Sequence, residues 1–159
     1  MSDLSSVDSS LEKFKQEIME IKRGKRGDHY RPHKLVMLLA VIELAERELL
    51  KENKIYLSDP LLHIFENIFL LVKRKDDLCQ PGPPFFHLRT SGFWFHKVRP
   101  EREKDYNKLS TTGGGLQMIE EHIEYSYLRN DVYELMVNPA TRRELRLFIS
   151  ELLNAPEGG

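Results

Sequence analysis

The chain has 159 residues, 40% of them hydrophobic and 9% aromatic, with a formal net charge of −1. That composition suits one domain with a packed core and excludes general disorder. Its longest apolar run, Leu35–Ile42, is far too short to cross a bilayer, and the polar, acidic start Met1–Ser10 lacks the order of a secretory signal. The single cysteine, Cys79, excludes an intramolecular disulfide and a multi-cysteine zinc site, and points to a reducing, cytoplasmic setting.

The net charge conceals an asymmetry. Residues 22–34 hold six Lys or Arg against one Asp, and residues 73–102 hold seven basic residues against three acidic ones. Together they carry about +9, leaving about −10 for the remainder. Solvated loops balanced by acidic helices would account for this. So would a basic face for a polyanion.

Residues 1–10 read as a flexible tail. Ser9 or Ser10 then caps a first helix, with Leu11, Phe14, Ile18 and Ile21 near helical spacing, ending near Lys22 before Gly24 and Gly27. Pro32 suits the first position of a second helix whose residues Leu35–Ile42 are apolar almost all round, so a central buried helix to about Leu50 is expected. Ile55–Leu57 suits a short strand. Asp59-Pro60 opens a third helix to about Val72, with Leu62, Phe65, Ile68, Phe69 and Val72 as its core. Residues 84–88 and 93–98 read as two strands of a hairpin turned at Arg89–Gly92, with Gly92 free to take positive φ. Residues 100–115 read as a mobile loop, and Leu116–Tyr127 is ambiguous between helix and strand. Asn130-Asp131 caps a short helix, and Asn138-Pro139 opens a last one with Leu145, Phe148, Ile149 and Leu152 inward. Residues 154–159 read as a linker. The expected fold is α+β: a mainly helical single domain, residues 11–153, with a small antiparallel sheet or hairpin packed on a central buried helix.

Two places break local rules. A helix N-terminus carries partial positive charge and orphan N–H groups, and sequences normally answer it with Asp, Glu, Ser or Thr. Here Arg31, His33 and Lys34 surround Pro32, and neither Tyr30 nor Arg31 is a capping residue. Free donors plus added cations make an anion site, unless water or Asp28 caps the helix. The second place is Pro83–Arg89. Strand alternation would put Phe85, His87 and Arg89 on one face and Phe86 and Leu88 on the other. Prolines and aromatics beside a basic loop suggest a rigid apolar notch; ordinary core packing of the aromatics is the competing explanation.

Catalytic patterns are scarce. There is no phosphate-binding glycine loop, no dinucleotide fingerprint, no nucleophile elbow and no H-E-x-x-H spacing. Asp76-Asp77 after Lys73-Arg74-Lys75 is the one cluster of the kind a metal nuclease uses. Cys79 has no obvious activating base, and Glu120-Glu121 reads as a solvated helix face. No cofactor or metal is called for.

In its two unusual segments the sequence resembles the sulfur-binding domain of modification-dependent HNH restriction endonucleases, over about residues 15–153. The first matching block is Tyr30-Arg31-Pro32-His33-Lys34-Leu35-Val36-Met37-Leu38-Leu39-Ala40, with Leu35 where many relatives have Pro. The second is Pro84-Phe85-Phe86-His87-Leu88-Arg89-Thr90-Ser91-Gly92-Phe93-Trp94. A third, weaker block is Tyr127–Leu135 with Asn138-Pro139. The family recognises phosphorothioated DNA. The resemblance implies that His33 and Lys34 grip the modified phosphate, and that Pro83, Pro84, Phe85 and His87 line the notch for sulfur. Some relatives have Tyr at the place of Pro83 and a small residue at that of His87. Tyr30 and Pro32 are expected to join the sulfur pocket, and Arg31 and Arg89 the phosphate grip. Lys22, Arg23, Lys25, Arg26, His29, Lys73, Arg74 and Lys75 are expected to make nonspecific DNA or base contacts. No His-Asn-His metal segment stands in this sequence, so the expectation is a separated domain or stand-alone reader. It would be non-catalytic, bind phosphorothioated double-stranded DNA and serve prokaryotic restriction or phage defence, alone or beside a nuclease. The alternatives are a DNA-binding module indifferent to sulfur or reading another modification, a protein-interaction domain, and a small nuclease at Asp76-Asp77.

Overall fold

A computed structural model describes residues 3–26, 29–74, 77–110 and 115–154. Along the chain these form α1 (Asp3–Met19), β1 (Lys25–Arg26), β2 (His29–Tyr30), α2 (His33–Glu46), α3 (Leu61–Val72), α4 (Gly82–His87), β3 (Trp94–Val98), α5 (Glu103–Asn107), α6 (Gly115–His122), β4 (Ile123–Leu128), α7 (Asn130–Val137) and α8 (Pro139–Asn154). Short 3-10 turns lie at Leu88–Thr90 and Pro100–Arg102.

α2 is the axis of this single α+β domain. Leu35 through Ile42, with Leu44 and Ala45, are all buried, because α3, α4, α7 and α8 surround it. A helix apolar on every side is stable in water only when enclosed in this way. It ends at Glu46 rather than near Leu50: Glu48 turns the chain with φ 59°, and Leu49 N–H donates to the Leu44 carbonyl.

Several expectations need correction. The first helix begins at Asp3, within the expected tail, because Val7 extends the buried stripe of Leu11, Phe14 and Ile18 by one more turn. The strand at Ile55–Leu57 shrinks to one bridge, Ile55 to Ser126. In α3 the buried residues are Leu61, Ile64, Phe65 and Phe69, while Leu62, Ile68 and Val72 are half-buried. Residues 100–107 are helical rather than a loop, with the Tyr106 ring set against Phe86 and His96. The ambiguous stretch is both things in turn, α6 to His122 and then β4. Asn154 ends α8 rather than opening a linker.

The largest correction concerns the hairpin. Residues 82–87 are helical, and β3 pairs with β4 instead, Trp94 opposite Leu128 and Phe95 opposite Tyr127. Prolines in the first turn of a helix cost nothing, since their missing N–H groups would be orphans there. Helical winding lets Phe85 and Phe86 both enter the core, where alternation would have exposed one of them. Gly92 takes positive φ as expected, 91°. Arg129 ties the far side together, with Nη2 donating to Glu17 Oε1 at 2.6 Å and Nε to Asp131 Oδ1 at 2.6 Å, which joins α1 to α7. No helix among the described residues is long and apolar enough to cross a membrane.

Candidate nucleic-acid interface

A cavity of about 360 Å³ opens where the start of α2, the chain entering β1 and the segment leading into α4 meet. Its two walls differ in chemistry. One is cationic: Lys22, Arg23, Arg31 and Lys34, with His33. The other carries Leu78, Pro83, Pro84 and His87, and Gly24, Asp77 and Gln80 complete the lining.

The cationic wall stands on the unusual helix start. Pro32 occupies the N-cap, one position before the expected one, and has no side-chain acceptor to offer the first N–H groups of α2. His33 Nε2 donates to the Leu78 carbonyl at 2.6 Å, and its ring lies 4.8 Å from that of Phe69. With Nε2 carrying the proton, Nδ1 holds a lone pair, buried and without a partner among the described residues. Burial pushes the His33 pKa below its ordinary value, and nearby Arg31 pushes the same way, against the Leu78 bond and Asp77. Lys34 Nζ donates to the Lys22 carbonyl at 2.7 Å; burial and the Lys22 ammonium lower its pKa. His87, across the cavity, is lowered by burial and then by Lys34 and Arg89. Lys34 and His87, both pressed down partly by neighbouring cations, mark positive potential on their side of the space, while at His33 the Asp77 carboxylate outweighs Arg31. An entering anion relieves that mutual repulsion.

The other wall exists because 82–87 is helical. Pro83 and His87, four residues apart, share the outward face, and the buried Pro84 beside them still borders the cavity, while Phe85 and Phe86 point inward. The helix is pinned from beneath. The Phe85 carbonyl accepts Trp94 Nε1–H at 2.9 Å and His96 Nε2–H at 3.0 Å, and the Tyr106 hydroxyl donates to His96 Nδ1 at 2.8 Å. Burial holds His96 neutral, with its pKa lowered to about 4.

The structure brings Arg31, His33, Lys34, Pro83, Pro84, His87, Lys22 and Arg23 together. Other expected site residues fall elsewhere. Phe85 is 1% exposed, its ring edge-to-face with Trp94, so it supports the notch from the core instead of lining it. Tyr30 and Pro32 lie outside this lining, in a smaller depression with Arg74. The Tyr30 ring sits under Arg23 and Lys25 at 4.5 and 5.2 Å. Arg89 is turned away from the cavity: its guanidinium covers Phe86 at 4.1 Å and donates to the Leu109 carbonyl at 2.8 Å. Lys73 ends α3 outside the lining. Arg26 and His29 pair through their backbones in the β1–β2 ribbon; their side chains, together with Lys75, Asp76 and Asp28, lie outside the described residues. Asp77, half of the acidic pair considered for nuclease chemistry, is buried and accepts the Arg74 backbone N–H at 2.7 Å. The exposed Cys79 thiol has its pKa raised by partial burial and by Glu66, opposite to what a nucleophile needs.

Sequence reasoning missed Leu78, Asp77 and Gln80 as lining residues, and Trp94 and His96 as the support under α4. Nothing in the residue types of the 77–80 loop signals its fold over α2. The inward alternation of Trp94 and His96 in β3 was a signal for the support. No protein-family model matches this chain, and no curated protein matches it.

Proposed function

We propose that this chain is a reader of double-stranded DNA carrying phosphorothioate linkages. It would use no catalytic step of its own and act in restriction or defence, alone or beside a nuclease. The observation that carries the reading is the two-walled cavity, with four cationic side chains and the start of α2, which has no side-chain cap among the described residues, facing proline rings and a leucine. A phosphorothioate needs both walls. It keeps the negative charge of a phosphate, which the cations and backbone N–H groups meet. One non-bridging oxygen is replaced by sulfur, which is larger, more polarisable and a poorer hydrogen-bond acceptor.

Against Pro83 and Pro84 sulfur loses little on desolvation. A phosphate oxygen in the same place gives up its water and meets no donor from a proline ring, at a cost of about 1–3 kcal/mol. The resulting preference is roughly ten- to hundredfold, added to a salt-dependent attraction shared by all DNA. Lys22, Arg23 and Lys25, leading into the β1–β2 ribbon, would supply much of that attraction. A second reading, a DNA-binding module indifferent to sulfur, is favoured by His87, which puts a polar ring on the otherwise apolar wall.

The test is a competition titration at fixed salt between two duplexes of one sequence, one of them with a single Rp phosphorothioate, repeated in several flanking contexts. A preference of about tenfold or more that is lost in Pro84→Ala and His33→Ala is expected. Equal affinity across the contexts would leave the second reading. No binding of either duplex would remove both and shift the weight to a protein partner.

A further inference from the structure

The face of the β3–β4 sheet turned away from α4 has no part in the cavity and carries an unusual set of side chains. Trp94 and His96 point inward to the Phe85 carbonyl, so Phe95 and Lys97 point out. Opposite them in register stand Tyr127 and Tyr125. The bridge of Ile55 to Ser126 adds a third lane, which sets Tyr56 beside Tyr125 and brings Lys54 onto the same face. The outcome is a small grid of four aromatic rings and two lysines. Ring centroids are 5.5 Å apart for Phe95–Tyr127, 6.3 Å for Tyr127–Tyr125 and 5.6 Å for Tyr125–Tyr56. Lys54 Nζ lies 5.3 Å from the Tyr125 ring, and it pairs loosely with Glu52 at the edge, 3.7 Å away. Phe95, Tyr127 and Tyr56 are 37%, 36% and 48% exposed.

A continuous run of half-exposed rings is too costly to be incidental to solubility. The lysines decide what it suits. The core of a protein interface is enriched in aromatic residues but depleted of Lys, and here Lys97 stands within the grid. Rings for bases with ammonium groups for phosphates are the two components of a single-strand platform, and an open sheet face is a common place for one. The geometry points to a second nucleic-acid site on this face, one that takes unpaired single-stranded nucleic acid by stacking bases on the exposed rings of Phe95, Tyr127 and Tyr56, with Tyr125, under Lys54, holding them in place. A duplex, with its bases already stacked inside, gains nothing from such rings. The site is therefore separate from the cavity in both place and preference.

The full chain would be titrated with a fluorescent oligothymidylate and, separately, with a duplex of equal length at the same ionic strength. Tyr127→Ala and Phe95→Ala are each expected to weaken oligothymidylate binding at least about fivefold while leaving duplex affinity unchanged. Tyr127→Phe, which keeps the ring, retains the single strand. His33→Ala does the reverse, sparing the single strand and weakening the duplex. Both rings replaced by Ala are half-exposed, and thermal unfolding of each variant checks that it folds. Failure of the wild-type chain to bind oligothymidylate would overturn the inference and leave the face to a protein partner. Binding that survives Tyr127→Ala and Phe95→Ala but falls in Lys34→Ala would overturn it too, by placing the single strand in the cavity.

Discussion

His96 supports the apolar wall from below, and its titration makes that support measurable. In the folded chain its pKa is lowered to about 4, chiefly by burial, against an ordinary 6.5. The unfolded chain therefore binds a proton that the folded chain refuses between those two values. Stability contributed by the neutral ring is complete above about pH 6.5, falls as the pH drops, and is lost by about pH 4. The interval is worth about 3 kcal/mol, a large share of the stability of a domain of this size. Urea unfolding from about pH 7.5 to about pH 4 measures it, followed by the fluorescence of the only tryptophan, Trp94, which shares the Phe85 carbonyl with His96. His96→Gln is expected to start less stable and to lose about 3 kcal/mol less than wild type over the same range. His33 and His87 are present in both proteins, so the difference between the two slopes reports His96 together with its repulsion from His87. Parallel slopes would refute the assignment of a buried neutral imidazole beneath α4.

Lys34→Ala is expected to weaken duplex binding about tenfold and to reduce the slope of log affinity against log salt by about 1, measured by titration at several chloride concentrations. His33 and His87 have pKa values held below the ordinary one, and a bound phosphate raises both, so complex formation takes up protons and affinity rises as the pH falls from about 8 to about 6. His87→Ala flattens this dependence, and calorimetry in buffers of different ionisation enthalpy counts the protons. Leu38→Ala, at a fully buried position of α2, is expected to cost about 2–5 kcal/mol in denaturant unfolding.

The amino-acid sequence by itself determined the axis of the molecule and one wall of its candidate site. Leu35–Ile42, apolar in every direction, has to be enclosed, and Pro32 with its cationic neighbours marked it as a helix and showed where that helix starts. Asn138-Pro139 placed α8 for equally local reasons, the Asn138 side chain accepting the Ala140 N–H at 2.9 Å, whereas α7 starts at Asn130 behind Arg129 and without the expected side-chain cap. The other wall was decided by tertiary structure. Residues 82–87 form a helix too short to be stable alone, held by the burial of Phe85 and Phe86 and by two donors from β3. Its sequence, rich in proline and aromatics, also fits a strand. The partner of β3 lies in β4, far along the chain, and pairing over such a distance leaves no mark on the local pattern. The same long-range pairing produced the ring and lysine grid, while helical winding moved Phe85 out of the notch and into the core. The same winding, not strand alternation, brought Pro83 and His87 together on one face toward the cations of α2, because residues four apart become neighbours only on a helix.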